Sequence, residues 1–242
     1  MKKMAIFVEG ETESEFLSSL LKEIAGRKHI SIKTFKLSGG KNKSQRFLRL
    51  VGESVPNTPK YEVVIYISSS MERVASDILE QKEELERQGF EHILGLRDLR
   101  GDKGHKKLTL DDLPRMELVS KLIKKRCLPL KAQMVIAVME IETWFLAEIN
   151  HYKCVDNNLT QAVVCSNNNL GFNPCTDDLT LRPEPAEDLK HLYQIVGKSY
   201  TKSASHRTRT IECLDYDYMY LTLQFKIKKL QELISEIDGF LI

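Results

Sequence analysis

The sequence predicts an α/β protein: a mostly parallel open sheet with helices on both faces, and a helical appendage at its C-terminal end. Three observations carry this. Short apolar runs recur through the first 150 residues, at 4–8, 61–67, 93–96 and 135–139, each suited to a buried strand. Segments with helical spacing alternate with them, as parallel strands joined by crossover helices require. Three of the runs lead into acidic residues, Glu9, Asp98 and Glu140, at the strand ends where open α/β sheets place their sites.

After the first run, Thr12 is a candidate cap for a helix over 13–26, with Phe16, Leu17, Leu20, Leu21 and Ile24 at helical spacing. Residues 31–37 read as a second strand ending at Ser38-Gly39-Gly40, and 44–53 as a basic helix before the breakers Pro56 and Pro59. The strand over 61–67 runs into Ser68-Ser69-Ser70. A charged helix over 73–88 stops at Gly89. The strand at 93–96 leads to Asp98, and Asp111 or Asp112 caps a helix through Lys125 whose Leu113, Met116, Val119, Leu122 and Ile123 share a face. Beyond residue 151, Asn157-Asn158, Asn167-Asn168-Asn169, Pro174, Pro183 and Pro185 mark an irregular, loosely helical stretch. One last amphipathic helix is expected over 214–237, carrying Tyr218, Leu221, Phe225, Leu230, Leu233 and Ile237. The expected organisation is an α/β domain over 1–150 and an irregular, helical extension over 151–242 packed on it.

Composition narrows the classes. With 42% apolar and 29% charged residues among 242, the chain is ordinary for a soluble globular protein. Mean hydropathy is −0.31 and no apolar stretch has bilayer length, so no membrane is expected. Met1-Lys2-Lys3 enters a strand without a secretory leader, which points to the cytoplasm. Five cysteines without a Cys-x-x-Cys pair read as reduced thiols, and the wide spacing of Cys154, Cys165 and Cys175 argues against zinc. Net charge is only +2, but eleven Lys or Arg lie between 97 and 131 against five acids. Residues 190–210 hold five Lys or Arg and no acid. Such patches either neutralise phosphates or form solvated faces.

The acidic residues carry the chemistry. Glu9-Gly10 between strand and helix puts a carboxylate at a tight turn, where Gly10 permits an unusual backbone conformation and close approach. Glu11 and Glu13 complement the helix dipole. Asp98 and Asp102 flank a turn at Gly101. Glu140 and Glu142 alternate at the end of an apolar run and so point to one side of an extended backbone. Carboxylates gathered in one crevice repel unless protons or hard cations neutralise them, so Mg²⁺ or Mn²⁺ is the expected cofactor. Its candidate ligands are Glu9, Asp98, Asp102, Glu140 and Glu142. Trp144 reads as core packing.

Val8-Glu9-Gly10-Glu11-Thr12-Glu13, an Asp after a later strand, and Glu140-Ile-Glu142-Thr-Trp144-Phe-Leu-Ala147 resemble the TOPRIM fold, a Rossmann-like arrangement, over about residues 4–148. The resemblance is to TOPRIM proteins related to OLD-family nucleases, often encoded beside an ATPase. It implies a Mg²⁺-dependent nuclease of a defence-type system, acting on DNA or RNA, with an ATPase subunit as partner and room for a homo-oligomer. The family's Asp-x-Asp falls on Asp98-Leu99-Arg100, whose second position is basic, and Asp102 lies two residues further on. The catalytic set so implied is Glu9, Asp98 and Glu140, with Lys202 neutralising transition-state charge. Lys103, Lys106, Lys107, Lys198, Lys202 and Arg207 are the candidate nucleic-acid contacts. His206 is a proton-shuttle candidate, though a lone loop histidine has a bland reading too. Gly197-Lys198-Ser199 lacks the rest of a P-loop, which excludes nucleotide hydrolysis by that motif. The alternative is a catalytically weak or inactive TOPRIM-like chain that binds nucleic acid or an ATPase. Topoisomerase or primase activity is a distant third, since no nucleophilic tyrosine module or zinc ribbon is evident.

Overall fold

The computed structural model describes residues 1–26, 28–39, 47–99, 109–166 and 170–242. Six strands form one sheet: β1 (Lys2–Val8), β2 (Ile30–Ser38), β3 (Phe47–Ser54), β4 (Tyr61–Ile67), β5 (His92–Asp98) and β6 (Lys131–Ala137). Their order is β3-β2-β4-β1-β5-β6. β1 is parallel to β4 and β5, β2 is parallel to β4, and β3 runs antiparallel to β2. The α/β class follows from the apolar runs, because β1, β4 and β5 are buried on both faces.

Alternation along each strand sorts its residues between two helix layers. Ala5, Phe7, Val64, Tyr66, Ile93 and Met134 pack with Val74, Ile78 and Leu85 of α2 (Met71–Arg87) and with Ile123 of α3 (Leu113–Arg126). The opposite face receives α1 (Glu11–Ala25), which buries Phe16, Leu17, Leu20 and Leu21. Phe240 reaches that face too, edge-on to Tyr61 with ring centroids 5.5 Å apart. α1, which follows β1, therefore packs on one face, and α2, which follows β4, packs on the other with α3. The end of β1 is a topological switch point, where open sheets form a crevice.

The chain divides into two compact units: 1–98, 112–136 and 235–242 in the first, 99–111 and 137–234 in the second. The second begins at 137 rather than near 150, because the composition shift marks loops while packing starts earlier. Its helices are α4 (Glu142–Ala147), α5 (His151–Val155), α6 (Gln161–Cys165), α7 (Pro185–Gln194), α8 (Ala204–Cys213), α9 (Tyr216–Leu221) and the start of α10 (Lys228–Leu241). Trp144 is 1% exposed and lies in this unit's core with Phe145, Tyr152, Leu192 and Tyr193, as core packing requires.

Three sequence expectations fail for physical reasons. The basic helix over 44–53 is strand β3 from residue 47 onward, where Leu48 and Leu50 pair across from Leu37 and Phe35; residues 44–46 lie outside the described set. The single helix over 214–237 is two, α9 and α10, with the chain turning over 222–227. Leu221 and Phe225, assigned to the buried stripe, are 67% and 70% exposed. Four of the five cysteines are paired rather than reduced: Cys154 with Cys213 and Cys165 with Cys175, leaving Cys127 free and buried. Separations of 59 and 10 residues carry no pairing signature in sequence. Cys154–Cys213 ties α5 to the end of α8. Reducing it, or replacing Cys154 with serine, is expected to lower stability by about 2–4 kcal/mol in urea titrations.

His92 gives an acid-side prediction. Burial, then Lys131, holds its imidazole below the ordinary pKa. The unfolded chain takes up a proton that the native state resists, so stability is complete above about pH 6.5 and falls as pH drops toward the lowered native value. His92→Gln is expected to flatten that acid limb in melting curves recorded between about pH 7 and about pH 5.

Candidate functional site

The first unit's candidate residues sit at the carboxyl edge of the sheet. Phe7 is level with Tyr66 and Gly95, and Val8 with Ile67 and Leu96. The next row is therefore Ser68, Glu9 and Arg97, about 4.8 Å apart across the strands. The Ser68 amide donates to the Val8 carbonyl at 2.8 Å, carrying the ladder into this row. Alternation puts the row on the α2 side, with Phe7 and Tyr66. Gly95 marks how closely that layer approaches: a Cβ there would meet Ile78 Cδ1 at 3.0 Å and Met134 Cγ at 3.1 Å. Arg97, two residues on, stands level with the first turn of α2, since about 6.6 Å of strand matches about four helical residues.

Arg97 is 5% exposed, and its Nε donates to the Asp98 carbonyl at 3.2 Å. Burial lowers the guanidinium pKa, opposed by Glu9 first, then Asp98, then Glu72. One buried cation thus lies within electrostatic reach of three carboxylates. Asp98, the last residue of β5, is 3% exposed and alternates to the other side of the sheet. Sequence reasoning missed Arg97. Its signal was a charged residue within an apolar strand, overshadowed by the acid beside it.

The neighbouring acids are structural. Glu13 is buried and accepts the Gly10 amide at 2.8 Å, closing the first turn of α1. Glu11 pairs with Lys36 at 3.1 Å. Gly10 has φ −140°, ordinary extended backbone, so its expected special conformation is absent; what it provides is space, because a Cβ would stand 3.1 Å from the Glu13 carboxylate.

In the second unit, Glu140 and Glu142 do not share one side of an extended strand. β6 ends at Ala137, Met139 is left-handed at φ 61°, and Glu142 opens α4. Glu140 accepts the Ala186 amide at 3.3 Å, at the start of α7. Glu142 is fully buried, accepts the Tyr200 hydroxyl at 2.8 Å and lies 3.5 Å from Lys202 Nζ. Lys198 is 4.0 Å from Asp156. Arg207 is buried and donates to the Lys202 carbonyl at 3.2 Å, so it holds the Lys202 loop in place. His206 shares a 2.9 Å hydrogen bond with Thr201, a local tie rather than a relay. Asp102, Lys103, Lys106 and Lys107 lie outside the described residues.

Among the described residues no group of three or more His, Cys, Asp and Glu is gathered as a metal shell. Magnesium does not need one: it keeps several waters and takes one or two carboxylates plus substrate phosphate. Glu9 and Asp98 suit that demand. They are hard oxygen donors at the ends of adjacent strands, on opposite sides of the sheet by alternation, and both lie within electrostatic reach of Arg97.

Residues 8–222 match the family model described as "Domain of unknown function (DUF4276)". No curated protein and no solved structure matches the chain.

Proposed function

The chain belongs to the DUF4276 family, and from its sheet-edge residues we propose that it is a Mg²⁺-dependent nuclease hydrolysing phosphodiester bonds of DNA or RNA. The observation that carries this reading is the pair Glu9 and Asp98, on adjacent parallel strands at the switch point, sharing the buried Arg97. Glu9 would hold the ion, with Asp98 reaching it over the strand end from the other side of the sheet, and the metal would supply a Lewis acid and an activated water. Arg97 places its positive charge beside Glu9. Glu140, Glu142 and Asp102 are the further ligands the TOPRIM resemblance assigns, and Lys202 supplies positive charge for the transition state. Lys103, Lys106, Lys107 and Lys198 serve as phosphate contacts, with Arg207 acting through the Lys202 loop. An ATPase partner, a homo-oligomeric state and cytoplasmic residence complete the reading. No described helix is long and apolar enough to cross a membrane.

The test is cleavage of labelled single- and double-stranded DNA and RNA in Mg²⁺, Mn²⁺ and EDTA. Metal-dependent cleavage lost in both Glu9→Gln and Glu140→Gln supports the proposal; wild-type rates in both variants refute it. The binding-partner reading draws on the basic Arg100 in the Asp-x-Asp position and on the absence of a three-acid group among the described residues. It expects salt-sensitive nucleic-acid binding without cleavage in any metal.

A further inference from the structure

Ser68 lies one residue beyond β4, in the row with Glu9 and Arg97, and is 2% exposed. Its hydroxyl has no hydrogen-bond partner among the described residues. A buried hydroxyl left unpaired costs about 1–3 kcal/mol, so a further partner at this position is favoured. Alternation directs it to the α2 side, where Tyr66 and Val64 meet Val74. The chain reverses at Ser69, left-handed at φ 63°, and enters α2, whose N-cap residue Ser70 makes no side-chain capping bond. Three features thus lie at this row: a hydroxyl with no partner among the described residues, the N-terminus of a 17-residue helix without a side-chain cap, and the Arg97 guanidinium. Helix amides and a guanidinium both favour an anion with several acceptor oxygens, and a serine hydroxyl adds a neutral donor.

We propose that Ser68, the first turn of α2 and Arg97 form a phosphate subsite beside Glu9. It would hold a phosphate group of the nucleic acid next to the one being cleaved, so this inference deepens the nuclease reading and rests on it for its substrate. Glu9 stands between Ser68 and Arg97, so its carboxylate opposes an anion unless a divalent ion neutralises it. Phosphate and Mg²⁺ therefore bind cooperatively at this edge.

The experiment uses inorganic phosphate as the probe and the full chain, with binding followed by calorimetry and by amide shifts, with and without Mg²⁺. The expected result is shifts at Ser69, Ser70 and Glu72, and tighter binding with Mg²⁺. Glu9→Gln is expected to tighten metal-free phosphate binding and to erase the Mg²⁺ effect. Ser68→Ala is expected to weaken binding about tenfold without lowering Tm, because it removes a hydroxyl that bonds to none of the described residues. Ser70→Asp places a like charge at the helix start and is expected to abolish binding, whatever its effect on stability. Wild-type affinity in both Ser68→Ala and Ser70→Asp would overturn the subsite, as would shifts confined to other lysines and arginines. Ser68-dependent phosphate binding in a protein that cleaves no nucleic acid would keep the subsite and end the nuclease reading. Metal-dependent cleavage without Ser68-dependent phosphate binding would do the reverse.

Discussion

Glu9→Gln is expected to reduce metal-dependent phosphodiester cleavage about a thousandfold, a transition-state loss on the order of 4 kcal/mol. The amide keeps the shape of the side chain but loses the charge that holds a hard cation. The first turn of α1 is closed by Glu13, which accepts the Gly10 amide. The substitution should therefore leave the melting temperature close to wild type and act on rate. Glu13→Gln is the matched control, since it weakens the first turn of α1 by about 1 kcal/mol and is expected to change stability more than rate. Rate assays at saturating Mg²⁺, paired with thermal melts of both variants, separate the two effects. Equal rate losses in the two would mean that Glu9 acts only through the local fold.

The largest expected effect on stability is at Glu148. This carboxylate is fully buried and accepts three backbone amides: Asn150 at 2.8 Å, His151 at 3.0 Å and Asp215 at 3.1 Å. It also lies 3.3 Å from the buried His151 ring, whose Nε2 meets the Tyr193 hydroxyl at 3.0 Å, and Tyr193 in turn meets Thr210 at 3.1 Å. One side chain therefore closes the start of α5 and the entry to α9, and anchors a buried polar chain to α7 and α8. Glu148→Ala strands these donors without water and is expected to cost about 3–5 kcal/mol, or roughly 10 °C in Tm. Glu148→Gln keeps one acceptor oxygen and should fall between. A melt of Glu148→Ala within about 2 °C of wild type would show that the network contributes little.

The legible part of the fold is the part buried on both faces. β1, β4, β5 and β6 each show an apolar run in sequence because most of their residues are buried whichever face they point to. β3 was illegible for the opposite reason: it is an exposed edge strand, with Arg49 and Glu53 among apolar residues, so neither period stands out. Leu221 and Phe225 continued a helical stripe in sequence, yet exposed apolar residues keep such a pattern without any packing behind it. At the candidate site, Glu9 and Asp98 were legible as acids at strand ends. Arg97 and Ser68 were not, because their meaning comes from register: only the pairing of Val8 with Ile67 and Leu96 sets them beside Glu9. Glu140 and Glu142 were found as residues but misread as a pair, since the left-handed turn at Met139 cannot be seen in an apolar run.

The most direct measurement is a crystal soaked in Mn²⁺, with anomalous density recorded at the carboxyl edge of the sheet. The expected result is a single strong peak with carboxylate oxygens of Glu9 and Asp98 at about 2.0–2.3 Å, lost in Glu9→Gln. Density elsewhere with none at that edge, in a crystal whose Glu9 and Asp98 are accessible, would contradict a metal-dependent hydrolase centred on these strands.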